Sequence, residues 1–237
     1  MLKRRVILSL TFLDGVLYRT KKFKPDLRYT SNFVDGGADE IFAIDVGTDR
    51  PAFWKAVEKI ADQCFCPLAV GGYIKSVADV REALLRGADK VVVNSAAIDK
   101  RSILSDIAEK FGSQCAVAGV DVKNGMAWKS HGTIETAYDA AGWARKAVVS
   151  GAGEIFLQNI DLDGSLNGYD IAALRAVLKV VSVPVVIGSG CGSWAHMDEA
   201  FKAGASGCAT SNIYHFTAES LGKARTYLSG KGVDVRP

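Results

Sequence analysis

The sequence predicts an α/β protein, a (β/α)8 TIM barrel built from two similar half-barrels. Two observations predict it: short β-rich runs alternate with helical patterns along the whole chain, and one segment recurs at an offset of about half the length. Alternating strands and helices are typical of a parallel sheet covered by helices. No linker rich in Gly, Ser or Pro divides the 237 residues. We therefore expect one domain over 1–237, with half-barrels at about 1–113 and 114–237.

Eight runs have the composition of buried strands, and eight strands close this barrel. In chain order they are Arg5–Phe12, Glu40–Val46, Pro67–Gly72, Lys90–Ser95, Cys115–Asp121, Glu154–Ile160, Pro184–Ser189 and Gly207–Asn212. The segments between them have helical periodicity. The segment Val77–Arg86, for example, is followed by Gly87, a residue suited to ending a helix.

An internal repeat supports the closed barrel. Val70–Ala96 aligns with Ile187–Ile213 at an offset of 187 − 70 = 117. Two shorter matches keep the same order, at offsets of 114 and 110: Gly37–Phe42 with Gly151–Phe156, and Thr11–Gly15 with Asp121–Gly125. Two four-strand halves explain this repeat. A doubly wound open sheet is the alternative, but it does not predict two similar halves.

Composition excludes several classes of protein. With 49% hydrophobic and 23% charged residues, the chain is not disordered, and a net charge of +3 does not indicate a nucleic-acid partner. The apolar run Val6–Leu10 is too short for a signal peptide, and no stretch is long enough to span a membrane. Five cysteines cannot all pair, so we expect reduced thiols and a cytoplasmic protein.

The carboxyl ends of the strands are where a barrel of this kind has its active site. Asp121 ends the fifth predicted strand above an apolar run, which makes it a candidate general acid or base. Thr11 is its counterpart in the repeat; a hydroxyl can position a substrate but does not shuttle protons near neutral pH. For Asp161 and Asp163, turn capping and a functional role are equally good interpretations.

Glycines and small residues at matching strand ends of the two halves indicate two phosphate subsites, because exposed backbone N–H groups hold anions. The alternative is that these glycines only relieve crowding at tight turns. The candidate phosphate- or substrate-binding residues are Gly72, Tyr73, Asn94, Ser95, Gln158, Asp163, Gly164, Gly190, Ser211 and Asn212.

Four charged residues begin strands at the opposite end of the barrel: Arg5, Glu40, Lys90 and Glu154. Their charges sum to zero, and buried charges are stable only when paired. A structural ion-pair plug is the simpler interpretation, and a gated pore is the alternative. The three histidines lack metal-ligand spacing, so we expect neither a metal nor a cofactor.

Several segments carry a resemblance to a known family: Met1–Arg5, Leu85–Lys90, Gly151–Ile155, Asp161–Gly164 with Gly168–Asp170, and Tyr214–Phe216. Together they resemble the cyclase subunit (HisF-type) of imidazole glycerol phosphate synthase over almost the whole chain. The resemblance implies a barrel that binds a two-phosphate ribonucleotide across its mouth. It also implies a HisH-type glutaminase on the bottom face and ammonia passing through the barrel. The family's gate is an Arg, Glu, Lys, Glu set, which Arg5, Glu40, Lys90 and Glu154 match.

The top of the barrel departs from that family. The family has catalytic Asp residues on strands one and five; Asp121 matches the second, but Thr11 stands at the first. Tyr73 replaces a glycine after strand three, and Asn212 replaces a serine on strand eight. This pattern resembles a divergent branch that works in surface-polysaccharide or flagellin modification, where ammonia goes to a separate sugar amidotransferase that forms an amidino group. A histidine-pathway cyclase (a lyase) and a noncatalytic docking scaffold are the alternatives.

Overall fold

Eight parallel strands form a closed barrel. A computed structural model describes residues 3–21, 23–26, 38–211 and 221–236. The strands are β1 (Arg5–Leu13), β2 (Val16–Lys21), β3 (Lys24–Asp26), β4 (Glu40–Asp45), β5 (Leu68–Gly71), β6 (Lys90–Val93), β7 (Ala116–Lys123), β8 (Met126–Lys129), β9 (Ile134–Asp139), β10 (Glu154–Asn159), β11 (Val185–Gly188) and β12 (Gly207–Thr210). β1, β4, β5, β6, β7, β10, β11 and β12 pair in this order, and β12 pairs back with β1. The predicted α/β barrel is confirmed.

Helices cover the outside of the barrel: α1 (Arg50–Gln63), α2 (Val77–Leu85), α3 (Ser95–Asp99), α4 (Ser102–Phe111), α5 (Ala140–Val149), α6 (Ile171–Leu178), α7 (Trp194–Ala203) and α8 (Leu221–Gly230). Polar side chains start several of them, because the first N–H groups of a helix lack partners within it. The carboxylates of Asp49, Asp139 and Asp170 accept such N–H groups at α1, α5 and α6. Within the described residues, no helix is both long and apolar enough to cross a membrane.

Both halves continue their first strand into a hairpin, and this is the structural counterpart of the third repeat match. β1 turns at Asp14-Gly15 into β2, and β7 turns at Asn124-Gly125 into β8. The φ angles of the two turns are nearly the same, 52° and 77° in the first half and 52° and 78° in the second. Both dipeptides are typical of two-residue hairpin turns, in which both residues have positive φ. The strands β2, β3, β8 and β9 were not predicted, although the two dipeptides signal β2 and β8.

Some predicted strand ends were wrong by one or two residues. The fourth strand ends at Val93 rather than Ser95, because the chain turns at Asn94 and Ser95 begins α3. The fifth continues beyond Asp121 to Lys123, since it pairs with the hairpin strand β8. The eighth is described to Thr210, and its predicted last residue, Asn212, lies outside the described residues.

Apolar side chains inside the barrel form a cluster separate from the core beneath the helices. Its buried members are Ile7, Phe42, Ala69, Val92, Val117, Phe156, Val186 and Ala209. The rings of Phe42 and Phe156 meet edge to face, with centroids 4.7 Å apart. Ile7, Phe42, Val92 and Phe156 each lie two residues after a charged residue that begins a strand, and all four belong to this inner cluster. The barrel interior is therefore packed with side chains between its two ends.

Candidate functional site

A cavity of about 710 Å³ opens at the carboxyl ends of the barrel strands. Most of the predicted site residues line it: Thr11, Gly72, Tyr73, Asn94, Ser95, Asp121, Gln158, Asp163, Gly190 and Ser211. Gly164 does not line the cavity and is buried in the turn after β10 with a φ of 68°. Gly164 was predicted to bind substrate as part of the Asp161–Gly164 motif, and in the structure it belongs to the turn rather than to the cavity lining. Asn212 lies outside the described residues.

The carboxyl group of Asp121 in the cavity wall has a strongly raised pKa. Burial raises its pKa to about 7, the Asn94 hydrogen bond lowers it, and the nearby charge of Asp163 raises it. Asn94 Nδ2 donates to Asp121 Oδ2 over 2.7 Å and to the Trp128 carbonyl over 3.2 Å. A carboxyl group with a pKa near 7 can both give and take a proton at neutral pH. The geometry therefore suits Asp121 to proton transfer.

Thr11 occupies on β1 the position that Asp121 occupies on β7. Thr11 pairs with Tyr18 across its hairpin, and Asp121 pairs with Trp128 across the other hairpin. Each residue of the second pair lies 110 positions after its counterpart in the first pair, since 121 − 11 = 110 and 128 − 18 = 110. Both side chains line the same cavity. The cavity thus holds one carboxyl group and one hydroxyl group at equivalent points of the two halves.

The strand-to-helix turns after β5 and β11 share one backbone conformation. Gly72 and Tyr73 have φ of 90° and 55°, and their counterparts Ser189 and Gly190 have φ of 68° and 90°. A Cβ at Gly72 would lie 2.1 Å from the Asp45 carbonyl oxygen, and one at Gly190 would lie 2.1 Å from that of Gly168. Both glycines are therefore required by close backbone contacts, whatever a ligand adds.

Two acidic side chains at the cavity have well-defined partners. The Asp163 carboxylate accepts the N–H of Phe23 over 3.1 Å, so it joins the hairpin of the first half to the second half. The side chain that holds its own turn is that of Asn159, whose Oδ1 accepts the N–H of Asp161 over 3.0 Å. The Asp163 carboxylate therefore holds the hairpin segment of the first half against the second half. Asp45 is buried and accepts from Arg50 Nη1 over 2.8 Å.

Several cavity residues were missed because they lie on loops that the strand pattern does not place. Phe23, Ser130, His131 and Lys75 all line the cavity. The rings of Tyr73 and His131 lie 5.4 Å apart at an interplanar angle of 47°. A hairpin predicted from Asn124-Gly125 would have placed the loop after β8 at the mouth of the barrel. In the described part of the chain, no group of three His, Cys, Asp or Glu side chains could hold a metal ion.

The predicted charged residues meet in a closed ring at the opposite end. Arg5 pairs with both Glu40 and Glu154, and Lys90 pairs with the same two carboxylates over 2.7 and 2.8 Å. The side chains of Glu40 and Glu154 are only 1% and 5% exposed. Although burial disfavours the charged form of Arg5, the carboxylates of Glu154 and Glu40 raise its pKa. We call these four residues the charged ring.

Comparison with known proteins agrees with this architecture. The pattern of the family described as "Histidine biosynthesis protein" matches residues 13–219. Imidazole glycerol phosphate synthase subunit HisF of Myxococcus xanthus (strain DK1622) is 38% identical over 250 aligned positions, which cover 100% of this chain and 99% of that protein.

Proposed function

The chain belongs to the histidine biosynthesis protein family, and we propose on that basis that it is the barrel subunit of a glutamine-dependent amidotransferase complex. In this proposal a HisH-type glutaminase docks on the bottom face of the barrel in the cytoplasm. Ammonia released there passes the charged ring and the inner cluster and reaches the cavity at the top. The charged ring is the observation that carries the proposal.

The ring is an unusual structure for a purely supporting role. Four charges are withdrawn from water, which costs several kcal/mol for each ion before pairing offsets it. A layer of apolar side chains would fill the same space without that cost. Each cation of the ring bonds both carboxylates, so displacing one side chain leaves the others partly paired. Such a ring can open locally while the barrel stays folded.

The interior above the ring suits a small uncharged molecule. Its inner cluster is apolar, which favours neutral ammonia over the ammonium ion. The cavity at the top reaches down to Val92 and Ala209, two members of that cluster. Only part of the barrel length therefore separates the cavity from the ring.

The top of the barrel supports a phosphorylated ligand held mainly by the second half. Gly190 has no side chain to cover its backbone, and Ser189 Oγ is buried without a hydrogen-bond partner among the described residues. Both residues line the cavity. Buried polar atoms are normally bonded, so the Ser189 hydroxyl group favours a bound ligand. We assign Ser211 to the same phosphate group, and also Asn212, which lies outside the described residues.

The finer assignment is to the divergent branch that supplies ammonia for amidination of a surface sugar. Thr11 supports it, because a hydroxyl group cannot share proton transfer with Asp121. Tyr73 supports it as well, because its side chain stands where the second half has Gly190. In this assignment the barrel has little cyclase activity of its own, and a separate sugar amidotransferase uses the ammonia.

Reconstitution with a HisH-type glutaminase and the sugar amidotransferase tests the conduit. We expect about one glutamine hydrolysed per amidino group formed. Lys90→Met should raise this ratio several-fold because ammonia escapes, while product formed from added ammonium stays the same. Lys202→Met, which removes an exposed lysine of α7, is the matched control. An unchanged ratio in Lys90→Met, or a bottom face that binds no glutaminase, would reduce the ring to a structural ion-pair cluster.

Assay with the histidine-pathway ribonucleotide and ammonium salts tests the absence of cyclisation. We expect little or no turnover, an increase of any residual rate in Thr11→Asp, and its loss in Asp121→Asn. Turnover like that of an ordinary cyclase subunit would instead favour the histidine-pathway alternative.

A further inference from the structure

The two ends of the cavity have the same backbone but different chemistry. Tyr73 and Gly190 are counterparts in the repeat, since 190 − 73 = 117, and both lie in the left-handed region of φ, at 55° and 90°. In the second half this position carries no side chain. In the first half it carries a phenol ring that is 36% exposed and lines the cavity. The first-half end is therefore covered where the second-half end is open.

The helices that follow these turns differ in the same way. At α2 the carboxylate of Asp79 accepts the N–H groups of Lys75 and Ser76 over 2.9 and 2.8 Å. Its counterpart at α7 is His196, since 196 − 79 = 117, and His196 accepts one N–H group, that of Gly192, over 3.1 Å at Nδ1. Ser193 there makes no side-chain cap. A helix N-terminus attracts anions, and α2 already has one of its own. A phosphate at the first-half end would meet that carboxylate and find two donors already used.

Two aromatic rings and two cationic side chains lie together at the first-half end. The Tyr73 ring lies 5.4 Å from the ring of His131, which comes from the loop after β8. Lys75 Nζ lies 5.6 Å and Arg50 Cζ 6.0 Å from the centre of the Tyr73 ring. Arg50 is already bonded to the buried carboxylate of Asp45. We call Tyr73 and His131 the aromatic pair.

Five described non-glycine residues that line the cavity have positive φ, and only one of them, Ser189, lies at the second-half end. Phe23, Tyr73, Ser130 and His131 have φ of 58°, 55°, 54° and 57°, and all four line the cavity. Non-glycine residues adopt this conformation at an energetic cost, most of all bulky ones. Such strain persists where the surrounding structure imposes it, and it is typical of ligand sites. The side chains at this end are therefore held in place before any ligand arrives.

We propose that the aromatic pair determines specificity: the first-half end of the cavity binds a planar aromatic ring of the ligand, stacked on Tyr73 and His131, where the second-half end binds a phosphate. The ligand class is then a monophosphate that carries a planar ring, in place of a compound with two phosphates. This inference rests on the proposed function only in taking the barrel mouth as the ligand site.

Three probe compounds and calorimetric titration test the inference. Ribose 5-phosphate has one phosphate, ribulose 1,5-bisphosphate has two, and adenosine 5′-monophosphate has one phosphate and a planar ring. For the wild-type protein we expect the adenosine compound to bind about fivefold tighter than ribose 5-phosphate, as stacking on exposed aromatic rings predicts. The bisphosphate should gain less than about threefold, because its second phosphate would be repelled by the Asp79 carboxylate, which already holds the N–H groups of Lys75 and Ser76.

Tyr73→Gly should reverse this order. The preference for the planar ring should disappear, and the bisphosphate should gain about tenfold, the effect of new charge-assisted hydrogen bonds to exposed N–H groups. Tyr73→Phe should keep the ring preference. Phe65→Ala removes a fully exposed ring on the loop before β5 and is the matched control.

Two results would overturn the inference. One is a wild-type protein that binds the bisphosphate at least tenfold tighter than ribose 5-phosphate, and the other is a ring preference that Tyr73→Gly leaves intact. Ammonia coupling measured on the same variants separates this failure from that of the proposed function. If the wild-type protein shows no preference for the planar ring but couples glutamine hydrolysis to product formation normally, only the inference is refuted. If it prefers the planar ring but shows no such coupling, only the proposed conduit is refuted.

Discussion

At the scale of single residues, the chemistry of Asp121 depends on its position at the end of β7. Desolvation contributes most to the pKa of about 7, and the Asn94 amide acts against it. Between about pH 4 and 7, the folded protein therefore keeps a proton that the unfolded chain has released. Under proton linkage, the free energy of unfolding falls as pH rises through this window.

Asp121→Asn should remove that pH dependence. The two proteins should be about equally stable near pH 4, because the protonated carboxyl group and the amide have the same shape and charge. By pH 8 the variant should be more stable by about 2–3 kcal/mol. Denaturant unfolding across this pH range measures the difference, with Glu135→Gln, at an exposed carboxylate on β9, as the control. A difference that does not change with pH would contradict a raised pKa.

The counterparts Tyr73 and Gly190 should respond oppositely to substitution. Tyr73→Gly relieves the cost of a positive φ, about 1 kcal/mol, and loses a ring contact of similar size, so stability should change by less than about 1 kcal/mol. Gly190→Ala places a Cβ 2.1 Å from the Gly168 carbonyl oxygen and should cost about 3 kcal/mol or more. Thermal unfolding of both variants measures this. Equal losses would mean that the two turns tolerate side chains alike.

Sequence reasoning found the residues on strands better than those on loops. Asp121 and the charged ring follow from strand ends, because strand direction decides which end of the barrel a residue reaches. Tyr73 was found as a departure from the HisF-type family, but its partner His131 was not found. Their contact joins residues 58 positions apart, since 131 − 73 = 58, and it depends on the shape of a loop. Local pattern carries no information about such a contact.

At the scale of elements, the repeat extends to details that the strand pattern does not reveal. The hairpins after β1 and β7 share turn conformation and register, although their sequences match only weakly. The eight barrel strands were predictable because buried parallel strands are continuous apolar runs. β9, in contrast, alternates between half-buried and exposed residues, and only Ala127 of β8 is buried. Their composition does not distinguish them from loops.

The two hairpin glycines offer a matched test of what each turn contacts. Gly15 and Gly125 have nearly the same φ, but a Cβ at Gly15 would lie 2.8 Å from atoms of Ala52, whereas a Cβ at Gly125 meets nothing within 4 Å. Gly125→Ala should therefore cost only the conformational strain, about 1 kcal/mol. Gly15→Ala should cost about 2–4 kcal/mol, because it also pushes against α1. Denaturant unfolding measures both, and equal costs would show that α1 yields without penalty.

At the scale of the whole molecule, the barrel has two polar ends and an apolar middle. The cavity and the charged ring lie at opposite ends, and the inner cluster separates them. The sequence indicated both ends, because charged residues at the starts of strands and small residues at their ends have fixed places once the barrel is known. The ion pairs of the ring join side chains 35 to 149 positions apart in the sequence. Which cation pairs with which carboxylate could therefore be seen only in the structure.

The stability that the charged ring gives the protein should depend on equal numbers of positive and negative charges rather than on any single charge. Lys90→Met leaves Glu40 and Glu154 to share Arg5, and an unpaired carboxylate in a site only 1–5% exposed should cost about 3–5 kcal/mol. Adding Glu154→Gln removes one negative charge as well. The remaining Arg5 and Glu40 form a complete pair, so the double variant should recover more than half of the loss.

A double-mutant cycle with denaturant unfolding measures this balance. We expect an interaction energy of about 2 kcal/mol or more between positions 90 and 154, and about zero between Lys90→Met and the distant Glu135→Gln. Additive losses at positions 90 and 154 would mean that each side chain stabilises the barrel through packing alone. The same double variant separates stability from conduction, because it restores a neutral, stable bottom without the full ring. If the ring is a gate, the double variant should regain its stability while ammonia continues to leak to solvent. If the double variant regained both its stability and its ammonia coupling, any neutral, well-packed closure of the barrel would be sufficient.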